Sequence, residues 1–325
     1  MFKKATIFSI TPASLLGTRQ VAQMAEKDAF IPCGPTQEHS AGWVPPRGQA
    51  HGAMVESVGG HHLMKMVIEK RSVPAKAINE VVDEKCKQIE RNTGRTPGKK
   101  EKRELKEEAK QTLLPHAFPK KTEILVWADT ATGYLVVDST SSAKVDEVVT
   151  RLCQLSTEIV VTSINTATSP GRLMTDWLHA GDKMGADDRF GFDVGTSCEL
   201  KAADETKARV RYNNHELNCF EVAQHIEQGK TATKLGLTYG DRVEFILNEA
   251  GTLTGIKFLD VVFADSAKTH EDEFDANVAI LTGEMSNLIP ELVKSLGGQI
   301  DFDGQSVDDA DGQEQSEEQS EAVEA

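Results

Sequence analysis

Apolar positions along the chain switch repeatedly between a period of two and a period near 3.6, and the elements follow from those switches. Phe2 to Ile10 alternates as a strand does, and Pro12 starts a helix running to about Asp28. Pro32, Gly34, Pro35, Gly42, Pro45, Pro46, Gly48 and Gly52 then surround Trp43, a composition that predicts an ordered loop or interface segment rather than a regular element. His62 to Glu69 reads as a strand. Pro74 opens a helix whose Ile78, Val81, Val82 and Ile89 form one apolar stripe. Gly94 to Gly98 breaks it, and Thr96 with Pro97 supplies an N-cap and first-turn pair for a second helix ending before Pro115. The two helices are expected to form an antiparallel hairpin.

Thr122 to Ala128 and Tyr134 to Val137 read as strands paired around Thr132-Gly133, Ser142 to Leu155 as a helix and Glu158 to Ile164 as a strand, a β-β-α-β rhythm. From Gly191 onward the pattern is mostly strand. Lys207 to Arg211 alternates, Phe220 to Gln228 is a short helix, and Ala232 to Leu237, Val243 to Leu247 and Thr254 to Leu259 make a meander turned at Gly240 and Gly251. Asn277 to Leu281 reads as a last strand, and Glu284 to Leu296 as a last helix, kinked at Pro290 and stopped by Gly297-Gly298. The stretch after Asp303 is Gln, Ser, Glu and Asp with almost nothing apolar, which predicts disorder.

These elements predict an α+β chain of several lobes: 1–73 an N-terminal α+β part, 74–118 the helical hairpin, 119–190 the β-β-α-β lobe, 191–300 a mostly β lobe with a C-terminal helix, and 301–325 a disordered acidic tail. A length of 325 residues with 39% hydrophobic content suffices for a sizeable core. Five widely scattered cysteines without a Cys-x-x-Cys pair read as reduced thiols in a cytoplasm. No apolar run approaches the roughly 18 residues needed to span a bilayer, so no membrane role is expected.

The formal net charge of −15 argues at first against nucleic acid. Charge is segregated, however. Ten of the acids lie in 301–325, which has no Lys or Arg, so 1–300 carries only −5, while 85–121 holds twelve Lys or Arg against five Glu. On the second helix of the hairpin Lys99, Lys102, Arg103, Lys106 and Lys110 sit at i, i+3, i+4, i+7 and i+11, within a stripe about 100° wide. Lys99 with Arg103, Lys102 with Lys106 and Lys106 with Lys110 are like-charge i,i+4 pairs, each unfavourable in an isolated helix. A helix shaped only for its own stability would interleave the signs. The row therefore suits an anionic partner, with a polyphosphate backbone leading, while a plain solvated face stays open.

Arg209 and Arg211 alternate on one strand and face the same way, either toward phosphates or as a solvated sheet face paired with nearby acids. Phe118, flanked by Lys120 and Lys121, is either a base-stacking or interface wedge or a buried cap on the hairpin. Asp129 and Asp138 each end a strand; paired carboxylates suit Mg²⁺-dependent cleavage, whereas turn capping explains them more simply. His61 and His62, adjacent on a strand, point to opposite faces and do not share a metal. Gly229-Lys230-Thr231 resembles a P-loop end, but Gln224 stands where the motif needs Gly. Gly-x-Gly-x-x-Gly, His-Glu-x-x-His and Gly-x-Ser-x-Gly do not occur. Neither a cofactor nor a metal is expected, and the chain reads as a non-enzymatic binding protein.

Five motifs in register sharpen this. Phe30-Ile31-Pro32-Cys33-Gly34, Gly42-Trp43-Val44-Pro45-Pro46, Leu113-Leu114-Pro115-His116-Ala117-Phe118, His225-Ile226-Glu227-Gln228-Gly229-Lys230 and Leu281-Thr282-Gly283-Glu284 resemble, in order and spacing, the RdgC family of recombination-associated bacterial proteins. The resemblance implies a horseshoe-shaped α+β protomer with mixed sheets and a projecting helical hairpin, two copies of which close into a ring around DNA. It further implies binding of single- and double-stranded DNA with little sequence preference, restraint of the RecA recombinase by competition for DNA, and a place in the cytoplasm at the nucleoid. Within that picture Lys99, Lys102, Arg103, Lys106, Lys110, Lys120, Arg209 and Arg211 are the expected phosphate contacts and Phe118 the expected stacking wedge. Phe118, Asn214 and His215 are the expected contacts between protomers. Tyr212-Asn213-Asn214-His215 departs from the family, which often carries lysines there.

Overall fold

The computed structural model describes residues 2–49, 51–185, 187–264 and 273–300. The acidic tail expected over 301–325 lies outside the described residues. In chain order the elements are β1 (Lys4–Thr11), α1 (Arg19–Lys27), β2 (His39–Val44), β3 (Val55–Val58), β4 (His61–Arg71), α2 (Ala75–Thr93), α3 (Lys99–Leu113), β5 (Pro119–Asp129), β6 (Tyr134–Val137), α4 (Ser142–Leu155), β7 (Val160–Ser163), α5 (Pro170–Ala180), β8 (Phe192–Ala202), β9 (Arg209–Tyr212), α6 (Phe220–Glu227), β10 (Lys230–Tyr239), β11 (Val243–Asn248), β12 (Leu253–Phe258), α7 (Asp260–Ala264) and α8 (Glu273–Ser295). The fold is α+β. The chain divides into two compact units, one of residues 1–21, 55–63 and 125–325, the other of 22–54 and 64–124. β4 and β5 contribute residues to both.

In the first unit the strands run β5-β6-β1-β12-β11-β10-β8-β9, with β7 also on β1. The β1–β6, β1–β7, β1–β12, β11–β12, β10–β11, β8–β10 and β8–β9 ladders are antiparallel, as are β5–β6 and, in the second unit, β2–β4. Along these ladders the large sheet is antiparallel, where mixed sheets were expected. β11 shows the cause of its strand form plainly: Val243, Phe245 and Leu247 are buried while Glu244, Ile246 and Asn248 are less so. Phe192, with no exposed surface, sits among Trp177, Tyr239 and Phe245 at ring separations of 5.9, 4.9 and 6.1 Å. α5 covers this core through Leu173, Met174, Trp177 and Leu178, and its Thr175 hydroxyl accepts the Ala232 N–H of β10 at 2.9 Å.

Four sequence expectations are overturned. The helix from Pro12 to Asp28 is a 3-10 turn, Ala13–Gly17, followed by α1. A Cβ on Gly17 would lie 2.3 Å from the His62 ring, and Thr18 after it is extended at ψ 150°, which ends the turn before α1. The Gly- and Pro-rich stretch contains β2, because Trp43, fully buried, and Ala41 and Gly42 pack as a strand on β4. Thr96 is not the N-cap of α3: Gly98 holds that position, and the Thr96 hydroxyl donates to Glu90 at 3.1 Å. Asn277 to Leu281 is helical, the first part of an α8 that continues through Pro290. Its buried positions Val278, Leu281, Met285, Leu288, Ile289 and Leu292 recur at helical spacing.

Candidate nucleic-acid interface

The second unit holds the expected hairpin. α2 ends on Gly94 in the left-handed conformation at φ 68°, a turn that a side chain would strain. Helices of 19 and 15 residues reach about 28 and 22 Å. They pack on one another, each burying a small apolar position, Val82 in α2 and Ala109 in α3.

Ion pairs of the hairpin decide what the cation row can do. Glu101 of α3 is held by both terminal nitrogens of Arg95 at 2.7 and 3.0 Å, a bidentate pair that keeps its carboxyl below the usual carboxylate range. Glu108 is taken by Lys85 of α2 at 2.8 Å. Two of the helix's own acids are thus spent on partners outside the row. Lys110 pairs with Glu38 at 2.7 Å, which raises its pKa; among the described residues it is the one cation of the five bound to a carboxylate. Lys99, Lys102, Arg103 and Lys106 are exposed, and among the described residues no carboxylate lies within ion-pair distance of them. Lys100, beside the row, is exposed as well.

Past α3, Phe118 is 93% exposed, so the buried-cap alternative fails. Lys120 is exposed at the start of β5, while Lys121 pairs with the buried Glu69 at 3.6 Å and lies 5.3 Å over the Phe30 ring.

Other candidates belong to the first unit. Arg209 and Arg211 of β9 do face one way, but both point at the buried Glu199 of β8, with Arg209 Nη1 to Oε1 at 3.0 Å and Arg211 Nε to Oε2 at 2.5 Å. Paired with an acid as the plainer alternative had it, they nevertheless stay half exposed or more. Sequence reading missed the two residues that organise them, Glu199 and Lys234; the strand pairing that joins them is non-local and left no local signal. Asn214 (φ 50°) and His215 are exposed and line a cavity of about 350 Å³ with Trp177, Arg189 and Asn218. His215 is fixed by its own N–H to Thr196 O at 3.0 Å and by Nδ1 against Glu216 O at 2.6 Å.

Asp129 and Asp138 serve as caps. Asp129 accepts the Ala131 N–H at 2.9 Å and the Ser286 hydroxyl at 2.8 Å, with His61 Nδ1 at 3.5 Å. Burial pushes its carboxyl up, but these donors outweigh burial and hold it below its ordinary range. Asp138 accepts the N–H groups of Lys3 and Lys4 at 3.1 and 3.0 Å, and burial raises it. Among the described residues no three His, Cys, Asp or Glu side chains are grouped to hold a metal ion. No helix among them is long and apolar enough to cross a membrane.

Comparison with known proteins places the chain beside named relatives. A family model described as "Putative exonuclease, RdgC" matches residues 1–299. A protein of Dechloromonas aromatica (strain RCB) named "Recombination-associated protein RdgC" is 35% identical over 305 residues, covering 92% of this chain and 98% of the relative. Proteins of the same name from Janthinobacterium sp. (strain Marseille) and Herminiimonas arsenicoxydans are 36% and 33% identical, over 92% of this chain and 99% and 98% of theirs.

Proposed function

The chain belongs to the RdgC family of recombination-associated proteins, and on that premise we propose that it binds single- and double-stranded DNA without sequence preference and so modulates recombination. One observation carries the reading: Lys99, Lys102, Arg103 and Lys106 share a face of α3, exposed and without carboxylate partners among the described residues, while α3's Glu101 and Glu108 are engaged elsewhere. Cations arranged in this way contact phosphates and release counterions, which gives affinity but carries no base information.

In the fuller proposal two protomers form a ring-shaped homodimer around the duplex at the nucleoid, with the cations lining its hole. Phe118, whose exposed ring is costly in water, lies at a base or at the partner copy, and Asn214 and His215 lie at a contact between protomers. Occupancy of DNA then limits the RecA recombinase by competition. A net-negative chain tolerates this role because only the lining has to be basic.

The name of the family model gives phosphodiester cleavage as a second reading. Asp129 is then the residue to change. On the leading account a DNA pull-down at two salt concentrations recovers less DNA at high salt, and the recovered DNA keeps its full length with and without Mg²⁺. Mg²⁺-dependent shortening of the DNA that falls at least about 100-fold in Asp129→Asn would establish the nuclease instead. Retention that follows an acidic protein rather than DNA length would mark α3 as a protein-docking surface.

A further inference from the structure

Glu199 sits 3% exposed at the centre of three neighbouring strands, β9-β8-β10. Cross-strand register sets Arg211 opposite it on one side and Lys234 opposite it on the other. Arg209 and Lys201, opposite each other two residues along, share the same sheet face. The carboxylate is fully committed: Oε1 accepts from Arg209 and from the Thr233 hydroxyl at 3.1 Å, while Oε2 accepts from Arg211 and has Lys234 Nζ at 3.8 Å. Burial would raise its pKa, yet the Arg211 and Thr233 hydrogen bonds and the Lys234 charge together lower it, so it stays an anion at neutral pH.

One negative charge thus faces three cations within 4 Å, and two positive charges remain uncancelled. Nor are the donors exhausted. Arg211 spends only Nε on Glu199, so its two terminal nitrogens stay available, and they form the fork that suits oxyanions. In front of this group lies a cavity of about 200 Å³, lined by Ser197, Glu199, Arg211, Asn213 and Lys234 together with Cys198, Tyr212 and Ile246. It is small for an organic ligand but roomy enough for one tetrahedral anion with water. The Ser197 hydroxyl and Asn213 amide, both able to donate, have no hydrogen-bond partner among the described residues.

We propose that this cavity is a phosphoryl-binding site in which Arg211 and Lys234 hold the oxyanion, Ser197 and Asn213 complete its donors, and Glu199 is a positioning residue that fixes the cations. That the phosphoryl group belongs to a polynucleotide rests on the function proposed above; the cavity's affinity for a phosphoryl group does not.

The test uses the full chain at low ionic strength in two arms. Calorimetric titration with inorganic phosphate is expected to show binding that weakens at least about tenfold in the Arg211→Gln/Lys234→Gln variant, and by a smaller factor of about threefold or more in Lys234→Gln alone. The single variant leaves both arginine pairs of Glu199 intact and guards against misfolding. Arg211→Lys, which keeps the charge and loses the fork, is expected to weaken phosphate binding too, which a mere surface-charge effect would not do.

The second arm measures the salt dependence of duplex DNA binding for the same proteins. A log-log slope lowered by about one in Lys234→Gln identifies the source as a polynucleotide backbone; an unchanged slope beside lost phosphate binding identifies a free phosphate. Phosphate binding equal in wild type and all variants overturns the proposal. Absence of DNA binding by the wild type would overturn the function proposed above and leave the calorimetry to judge this site alone.

Discussion

Replacing Lys102 and Lys106 together by Ala is expected to flatten the salt dependence of DNA binding by about two units of log-log slope, and to weaken binding about 60-fold at 0.1 M monovalent salt. The number follows from about 0.9 counterions released per neutralised phosphate, taken twice over one decade of concentration. Both side chains are exposed and neither has a carboxylate partner among the described residues, so no ion pair is broken. Ala is the best helix former, and the change relieves an i,i+4 repulsion, so α3 itself should be slightly favoured. Lost binding in this variant therefore reports lost phosphate contact, with circular dichroism confirming unchanged helix content. By contrast, Lys110→Ala removes a cation already held by Glu38 at 2.7 Å and should change the slope less than either neighbour does. A slope equal to that of the wild type in the double variant would remove α3 from the interface.

Gly42→Ala is the substitution expected to cost most stability. Gly42 lies in β2, where a Cβ would stand 2.5 Å from Phe30 Cα and 2.6 Å from Phe30 N, both backbone atoms of the adjoining segment. That segment is tied to β2 on either side of the contact, by Trp43 N–H to Asp28 O at 3.0 Å and Phe30 N–H to Trp43 O at 2.9 Å. No rotamer change relieves a backbone clash, so the methyl must push the two segments apart. Both hydrogen bonds lengthen and the buried Trp43 loses packing. Overpacking and two damaged hydrogen bonds together suggest about 2–5 kcal/mol. A lowered denaturation midpoint for the second unit, followed by Trp fluorescence, is the expected result. An unchanged midpoint would mean that this segment does not pack as described.

Much of the fold was legible where one period ran clean. α4 and β6 begin and end where the apolar pattern does, and α2 opens after Pro74 and closes on Gly94 as its punctuation implied. Failures have local physical causes. The Asn277–Leu281 run is short and apolar, and such runs fit strand or helix alike until the stripe through Leu292 is followed. β8 escaped notice because its alternation is interrupted: Gly195 presses on Gly236 O, where a Cβ would come within 3.1 Å, and the register shifts beside it between Leu235 and Leu237. α5 carried a readable signal in Ser169, whose hydroxyl accepts from Arg172 N–H at 3.4 Å, and in Pro170 at its first turn.

Within the candidate site the same division holds. The cation row is a property of one helix and was legible from spacing alone. Which of its members is neutralised was not, since Glu38 is 72 residues from Lys110 in sequence. Arg209 and Arg211 were placed on a common face correctly, but their convergence on Glu199 depends on strand pairing that no local window contains.

The central claim is that the ammonium groups of α3 sit against phosphates when DNA is bound, and lysine acylation read by mass spectrometry tests it most directly. With duplex DNA at low salt, Lys99, Lys102 and Lys106 should become several-fold less reactive and recover when salt releases the DNA. Reactivity at those three lysines that stays the same while the DNA is demonstrably bound would contradict the account.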